Sequence, residues 1–193
     1  MKKNLTRIFV VFITVSLGAC SNAGLEKRLL SSDPAVRAHA LAKLARFSQS
    51  RKTAMVPLLM EDLKSSDSST SNRAADALAV MGEPAVPSLM ASLQSSDVYV
   101  RINSAAALGT MGAPAISAIP GLVGALHDPH PLVREEAASA LGQLGPGAKD
   151  SATALAEASK DKDDLVRSAA IEAMKKMGVA PEPAKGHVRQ PQS

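Results

Sequence analysis

The chain predicts an all-α protein, an α-solenoid of about five two-helix repeats. Three observations carry that prediction. A self-similar unit recurs every 30–33 residues, small and apolar residues inside each unit recur at helical spacing, and no convincing strand pattern interrupts them. At 193 residues the chain has room for one domain or one short array with a real core.

The unit is clearest in the segments from Asp67 to Gly82 and from Asp97 to Gly112, which align without a gap and both end in Met-Gly. Ser65-Ser66-Asp67 matches Ser95-Ser96-Asp97, Ser31-Ser32-Asp33 opens an earlier copy, and later copies run to Gly145 and Gly178. One column holds Arg37, Ser71, Arg101, Arg134 and Arg167, with Val36, Thr70, Val100, Val133 and Val166 just before it. Three residues later come Ala40, Ala74, Ser104, Ala137 and Ala170; seven later come Leu44, Leu78, Leu108, Leu141 and Met174. These offsets draw one apolar stripe on a helix. The closing column, Ser48, Gly82, Gly112, Gly145 and Gly178, reads as the helix end, where glycine supplies the left-handed turn. Asp33 before Pro34 is an N-cap followed by proline at the first helical position, and Asp97 and Asp163 are placed to cap likewise.

A leading helix precedes each capped one. Met55-Val56-Pro57-Leu58-Leu59 aligns with Val86-Pro87-Ser88-Leu89-Met90 and with Ile119-Pro120-Gly121-Leu122. Pro57 and Pro87 are expected in first turns, which tolerate proline, and Pro120 is expected to kink a longer helix. The first copy is expected to have a truncated leading helix. The pattern D-x-x-V-R-x-x-A-x-x-x-L behind a proline-bearing helix resembles HEAT repeats, and most closely the short HEAT-like repeats named after phycobilisome lyases. The resemblance covers nearly everything after the leader and implies the solenoid fold. It says little about activity.

The N-terminus reads differently. Lys2, Lys3 and Arg7 precede an apolar run from Ile8 to Leu17, too short for the roughly 20 residues that span a bilayer. Leu17-Gly18-Ala19-Cys20 follows and resembles the bacterial lipobox. That resemblance implies cleavage before Cys20, acyl chains on its sulfur and new N-terminus, and a membrane anchor. An ordinary secretory signal with a free cysteine is the other reading. Ser21 in place of Asp implies, by the sorting rule of diderm bacteria, the periplasmic face of the outer membrane. The expected organisation is a signal peptide over 1–19, a lipidated tether over 20–24, a repeat domain over 25–178 and a disordered tail over 179–193. The tail could instead cover the open end at Ile171 and Met174.

Composition then excludes several functions. Loss of the leader removes Lys2, Lys3 and Arg7 and leaves 19 basic residues against 18 acidic, so the pI near 9.3 does not point to nucleic acid. The chain has no Trp, and only Phe47 and Tyr99 lie outside the leader, too few for base-stacking platforms. The single cysteine excludes an internal disulfide and a cysteine-built zinc site. His127-Asp128-Pro129-His130 is the one metal-like cluster, and it reads better as a polar turn with His130 at a cap position. No metal site and no cofactor is expected.

Catalytic motifs are equally sparse. Deoxyhypusine hydroxylases of this repeat class bind two irons through His-Glu pairs. The residues following the four histidines here are Ala40, Asp128, Pro131 and Val188. No G-x-S-x-G elbow and no strand-linked glycine-rich loop is present. No catalytic residue is assigned. The repeated Asp33, Arg37, Asp97, Arg101, Arg134, Asp163 and Arg167 read as a structural ladder, because catalysis needs one asymmetric constellation; Ser71 should leave a gap in it.

What remains is a surface. The second helix of each unit lines the concave face in HEAT families. Its non-stripe positions, among them Arg73, Asp76, Asn103, Glu135, Glu136, Gln143 and Glu172, differ from copy to copy. They are the expected partner-binding residues, although a merely solvated face would carry the same residue types. The function expected is a lipid-anchored, non-catalytic scaffold for an envelope protein. The alternative is a HEAT-like enzyme or small-ligand binder with an unrecognised pocket.

Overall fold

A computed structural model describes residues 19–179. The leader expected over 1–19, Ala19 excepted, and the tail from residue 180 lie outside the described residues. Every regular element among the described residues is a helix, and the chain divides into two compact units between Pro84 and Ala85. Sequence periodicity alone groups 25–178 as one array.

The first unit contains α1 (Ala19–Leu29), α2 (Pro34–Ala45), α3 (Gln49–Leu63) and α4 (Ser68–Met81). Its core is formed by Leu25 and Leu29 of α1, Ala40 and Leu44 of α2, Leu59 and Leu63 of α3, and Ala74 and Leu78 of α4, all buried. These are the stripe columns read from the repeat, now closed on the leading helices. The second unit contains α5 (Val86–Ser92), α6 (Val98–Met111), α7 (Ile119–Ala125), α8 (Pro131–Leu144), α9 (Ala152–Ala158) and α10 (Asp164–Lys176). Leu108, Leu141 and Met174 of the second helices are buried there with Leu89, Leu122 and Leu155 of the leading ones.

Caps set the element boundaries. Asp33, Asp67, Asp97 and Asp163 each stand in extended backbone, and each side chain accepts two N–H groups of the following first turn. Those groups have no partner inside the helix, so the cap satisfies them. Gly82, Gly112 and Gly145 end α4, α6 and α8 at φ of 73°, 67° and 60°, a region that a side chain disfavours. Ser48, in the same column, does something else: it starts α3, its hydroxyl accepting from Arg51 N–H.

The leading helices depart from expectation in three ways. Pro57 lies inside α3, as its ninth residue, rather than in a first turn. The helix tolerates it on an exposed face, forgoing one backbone donor. Pro120 is the second residue of α7, where its missing N–H costs nothing; the longer helix expected there is broken by a 3-10 segment, Ala113–Ala118. Matching 3-10 segments, Glu83–Ala85 and Gly145–Ser151, precede α5 and α9. Each holds a proline near its start (Pro84, Pro114 or Pro146), which delays the α-helix. Finally, α1 runs 11 residues, against 15 for α3 and 7 for α5, α7 and α9, and its helical backbone includes residues 20–24.

Neighbouring second helices in the second unit touch backbone to backbone. A Cβ added at Gly109 of α6 would stand 2.7 Å from Ala140 Cα of α8, and one at Gly142 of α8 would stand 2.8 Å from Ala173 Cα of α10. Small residues on both sides make that approach possible, and it fixes the register of the three helices.

Candidate functional site

The repeated arginine is the fourth residue of its helix in α2, α6, α8 and α10. Helical side chains lean toward the N-terminus, so its guanidinium lies over the turn that precedes the helix. There Arg37 Nη1 donates to Ser31 O at 2.8 Å, Arg101 to Ser95 O at 2.8 Å, Arg134 to Asp128 O at 2.9 Å and Arg167 to Asp161 O at 2.8 Å. Each arginine thereby binds a carbonyl six residues back and holds its own helix–turn junction.

In the second unit two of them also reach forward. Arg101 Nε donates to Asp128 Oδ2 at 2.7 Å and Nη2 to Oδ1 at 3.0 Å; Arg134 meets Asp161 in the same way at 2.8 and 2.9 Å. Both are planar two-point pairs between one repeat and the turn of the next, largely shielded from water. The carboxylates also close the turn before the next helix, since Asp128 Oδ1 accepts from His130 N–H and Asp161 Oδ1 from Asp163 N–H. The Arg134 hydrogen bond holds the Asp161 carboxyl down at about 2, with the Asp163 N–H adding to it. For Asp128 burial alone would push the carboxyl up, but the bonds from Arg101 and His130 N–H outweigh it and hold it below its ordinary value.

Elsewhere the ladder stops. The position that carries Asp128 and Asp161 is serine in the earlier copies, and Ser31, Ser65 and Ser95 close their turns through the hydroxyl instead. Arg167 pairs with Asp164 on its own helix. Ser71, which stands where an arginine would, is buried and donates to Ser68 O. Asp128 and Asp161 were missed by the sequence reading. Their signal was the change from serine to aspartate six residues before Arg134 and Arg167.

The polar turn at His127 resolves accordingly. Asp128 belongs to the ladder. His130 occupies the cap position of α8 but its side chain makes no cap bond, and its Nδ1 is buried with no hydrogen-bond partner. Among the described residues no group of three or more His, Cys, Asp and Glu side chains is placed to hold a metal ion, and no helix is long and apolar enough to cross a membrane.

The expected partner-binding residues sort into three kinds. Asp76, Gln143 and Glu172 are exposed. Arg73 is half-buried, with Nη1 donating to Leu30 O at 3.0 Å across the first unit, so its guanidinium is already engaged. Asn103, only 9% exposed, is part of the core rather than of an open face, because it lies in the packed seam of α6. Glu135 and Glu136 of α8 are both half-buried, and burial, followed by the charge of Glu135, pushes the Glu136 carboxyl up.

Two-helix units capped by aspartate, tied by a repeated arginine and closed by glycine define a helical-repeat protein. The chain belongs to the HEAT-repeat family, which matches residues 22–98 and 86–175. Among solved structures it is similar to the complex of CpcE and CpcF of phycocyanin lyase from Nostoc, at 18% identity and a TM-score of 0.58, over 81% of this chain and 99% of that one. Human deoxyhypusine hydroxylase in complex with glycerol follows at 21% and 0.52, over 83% of this chain and 75% of that one. A designed armadillo repeat protein in complex with a (KR)4 peptide gives 17% and 0.51, with 83% of both chains covered. These likenesses establish the fold. No curated protein matches the chain. A HEAT-repeat scaffold fits a role in protein interaction.

Proposed function

We propose that the protein is a lipid-anchored, non-catalytic scaffold of the bacterial envelope, held through acyl chains on Cys20 and binding another envelope protein on the faces of its second helices. The observation that carries the binding reading is the division of labour on those helices. The columns that stack are fixed by clamps and glycine contacts, while the columns that hold Asp76, Glu135, Glu136 and Gln143 change from copy to copy. A repeated frame with unrepeated outward residues is what a specific extended surface requires. Glu136 is the strongest single feature of that surface. It is desolvated, beside another carboxylate, and pairs with no cation among the described residues; a partner's cationic side chain placed on it would relieve that cost.

Anchoring rests on Leu17-Gly18-Ala19-Cys20 behind a positive and then apolar leader. The deciding experiment is photocrosslinking in intact cells from Asp76, Glu136 and Glu172, with Cys20→Ala as the unanchored control. One polypeptide should be captured from the anchored protein and lost when Glu136 is replaced by Lys. Capture at none of the three positions by a folded, membrane-bound protein would sink the reading. Stoichiometric metal in the purified protein would favour the enzyme alternative.

A further inference from the structure

The two ends of the first unit differ in charge. Between Asp33 and Glu61 the chain holds no acidic residue. In that stretch α2 stops and α3 starts, with Lys43 in the last turn of α2, Arg46 as its C-cap, and Arg51 and Lys52 in the first turn of α3. Helical side chains lean toward the N-terminus, so Arg51 and Lys52 lie over this junction. Lys52 Nζ donates to Val80 O at 3.5 Å, which brings the end of α4 to the same place. Arg51 stands 3.8 Å above the ring centroid of Phe47, the one phenylalanine outside the leader. Lys43 and Arg46 are exposed and form no ion pair among the described residues. Glu83, just past the end of α4, is the acid set against these four cations. The opposite end carries both signs, with Asp33, Glu61 and Asp67 beside Arg37 and Lys64.

We propose that this cationic end of the first unit docks on an anionic lipid surface, the one in which the acyl chains of Cys20 are set. The direction of α1 points to that occupant. Glu26, in the last turn of α1, bonds with Asp62 near the end of α3, and Leu30 O accepts from Arg73 Nη1 of α4. The last turn of α1 therefore lies beside the α3–α4 turn. Packed on α2 and α3 through buried Leu25 and Leu29, α1 runs back from there toward the cationic end. The nine residue steps from Leu29 to Cys20 cover about 14 Å of that path. A lipid on Cys20 holds headgroups toward this end at high local concentration. Each cation brought to an anionic surface strengthens binding by roughly fivefold, and acyl chains joined to a basic cluster make a stable attachment. The anchor favours lipid over an acidic polypeptide, since lipid is what the chain itself holds at this end. This inference rests on the anchor proposed above and adds the orientation in which the first unit meets the membrane.

The test uses the protein purified from cell membranes, with a fluorophore on a cysteine introduced at one of two exposed serines. Ser50→Cys places it on the cationic end, and Ser66→Cys in the α3–α4 turn. In phosphatidylethanolamine–phosphatidylglycerol vesicles carrying nitroxide lipids, the Ser50 label should be quenched severalfold more than the Ser66 label. That preference should vanish in phosphatidylcholine vesicles and in about 0.5 M salt. Neutralising both exposed cations, Lys43→Gln with Arg46→Gln, should shift the docking equilibrium by roughly 25-fold, with helix content unchanged by circular dichroism. Equal quenching of the two labels, or a Ser50 preference that persists in phosphatidylcholine or in the double variant, overturns the proposal. An acidic polypeptide captured at Lys43 and Arg46 without any dependence on phosphatidylglycerol also overturns it. The mass of the purified protein reads the anchor separately. An unmodified Cys20 removes the anchor reading, while the label comparison still decides the docking, because a label on Cys20 would be common to both variants.

Discussion

The guanidinium groups of Arg101 and Arg134 each join three chain segments: their own helix, the turn behind it and the turn of the next repeat. Arg37 joins only the first two. The difference has a magnitude. Arg134→Ala should lower stability by about 3 kcal/mol, because it strands a shielded carboxylate as well as a carbonyl. Arg37→Ala should cost about 1 kcal/mol, the ordinary worth of one hydrogen bond. Urea denaturation of both variants checks this, and equal losses would mean that the forward arm adds nothing. The arginine column was legible in the sequence, since it repeats. Its partners were not, because Ser95 closes its turn through a side-chain oxygen just as Asp128 and Asp161 do. Only the approach of the preceding repeat's arginine distinguishes their roles.

For the elements, boundaries were legible wherever a cap sets them. Asp33, Asp67, Asp97 and Asp163 start helices and Gly82, Gly112 and Gly145 end them for reasons contained in a few neighbouring residues. The leading helices were read less well. Pro57 and Pro87 align by sequence, yet one is interior to α3 and the other begins α5, because the 3-10 segment before α5 has no counterpart ahead of α3. Contact between helices was also hidden. Gly142 looks like a mild helix breaker until Ala173 is found 2.8 Å from its missing Cβ. Gly142→Ala, which should strengthen an isolated helix by about 1 kcal/mol, is therefore expected to destabilise the protein by about 1–3 kcal/mol through overpacking. A thermal melt decides between the two signs.

Across the whole molecule, two carboxylate sites, one in each unit, carry opposite acid responses. In the first, burial pushes Glu26 of α1 up and the Asp62 carboxylate pushes it further. Asp62 of α3 is likewise raised, by burial and then Glu61, against the lowering effect of its bond with Glu26. A carboxyl raised in the folded state holds its proton more tightly there, so folding gains as pH falls through that raised value. In the second unit Asp161 is depressed to about 2 from an ordinary 3.8. Its contribution is complete above the ordinary value and is lost as pH falls toward 2. Hydrogen exchange, corrected for the intrinsic rate, should thus show the α1–α3 amides slowing between pH 7 and about 4.5. The turns around Asp161 should loosen between about 4 and 2. Asp62→Asn should remove the first effect and Asp161→Asn the second.

By itself the sequence determined that the protein is a HEAT-type array of capped helix pairs, which apolar columns face the core, and where the aspartate-capped helices start. Those properties follow from periodicity and from bonds between residues within one turn of each other. Tertiary structure decided which arginines become clamps between repeats, that Asn103 is core and Arg73 engaged, and that Tyr99, Leu132 and Leu165 stay exposed. These depend on how one repeat lies against the next. The repeat period identifies the positions that meet, while the distance and shielding that give a contact its energy arise only when the helices pack.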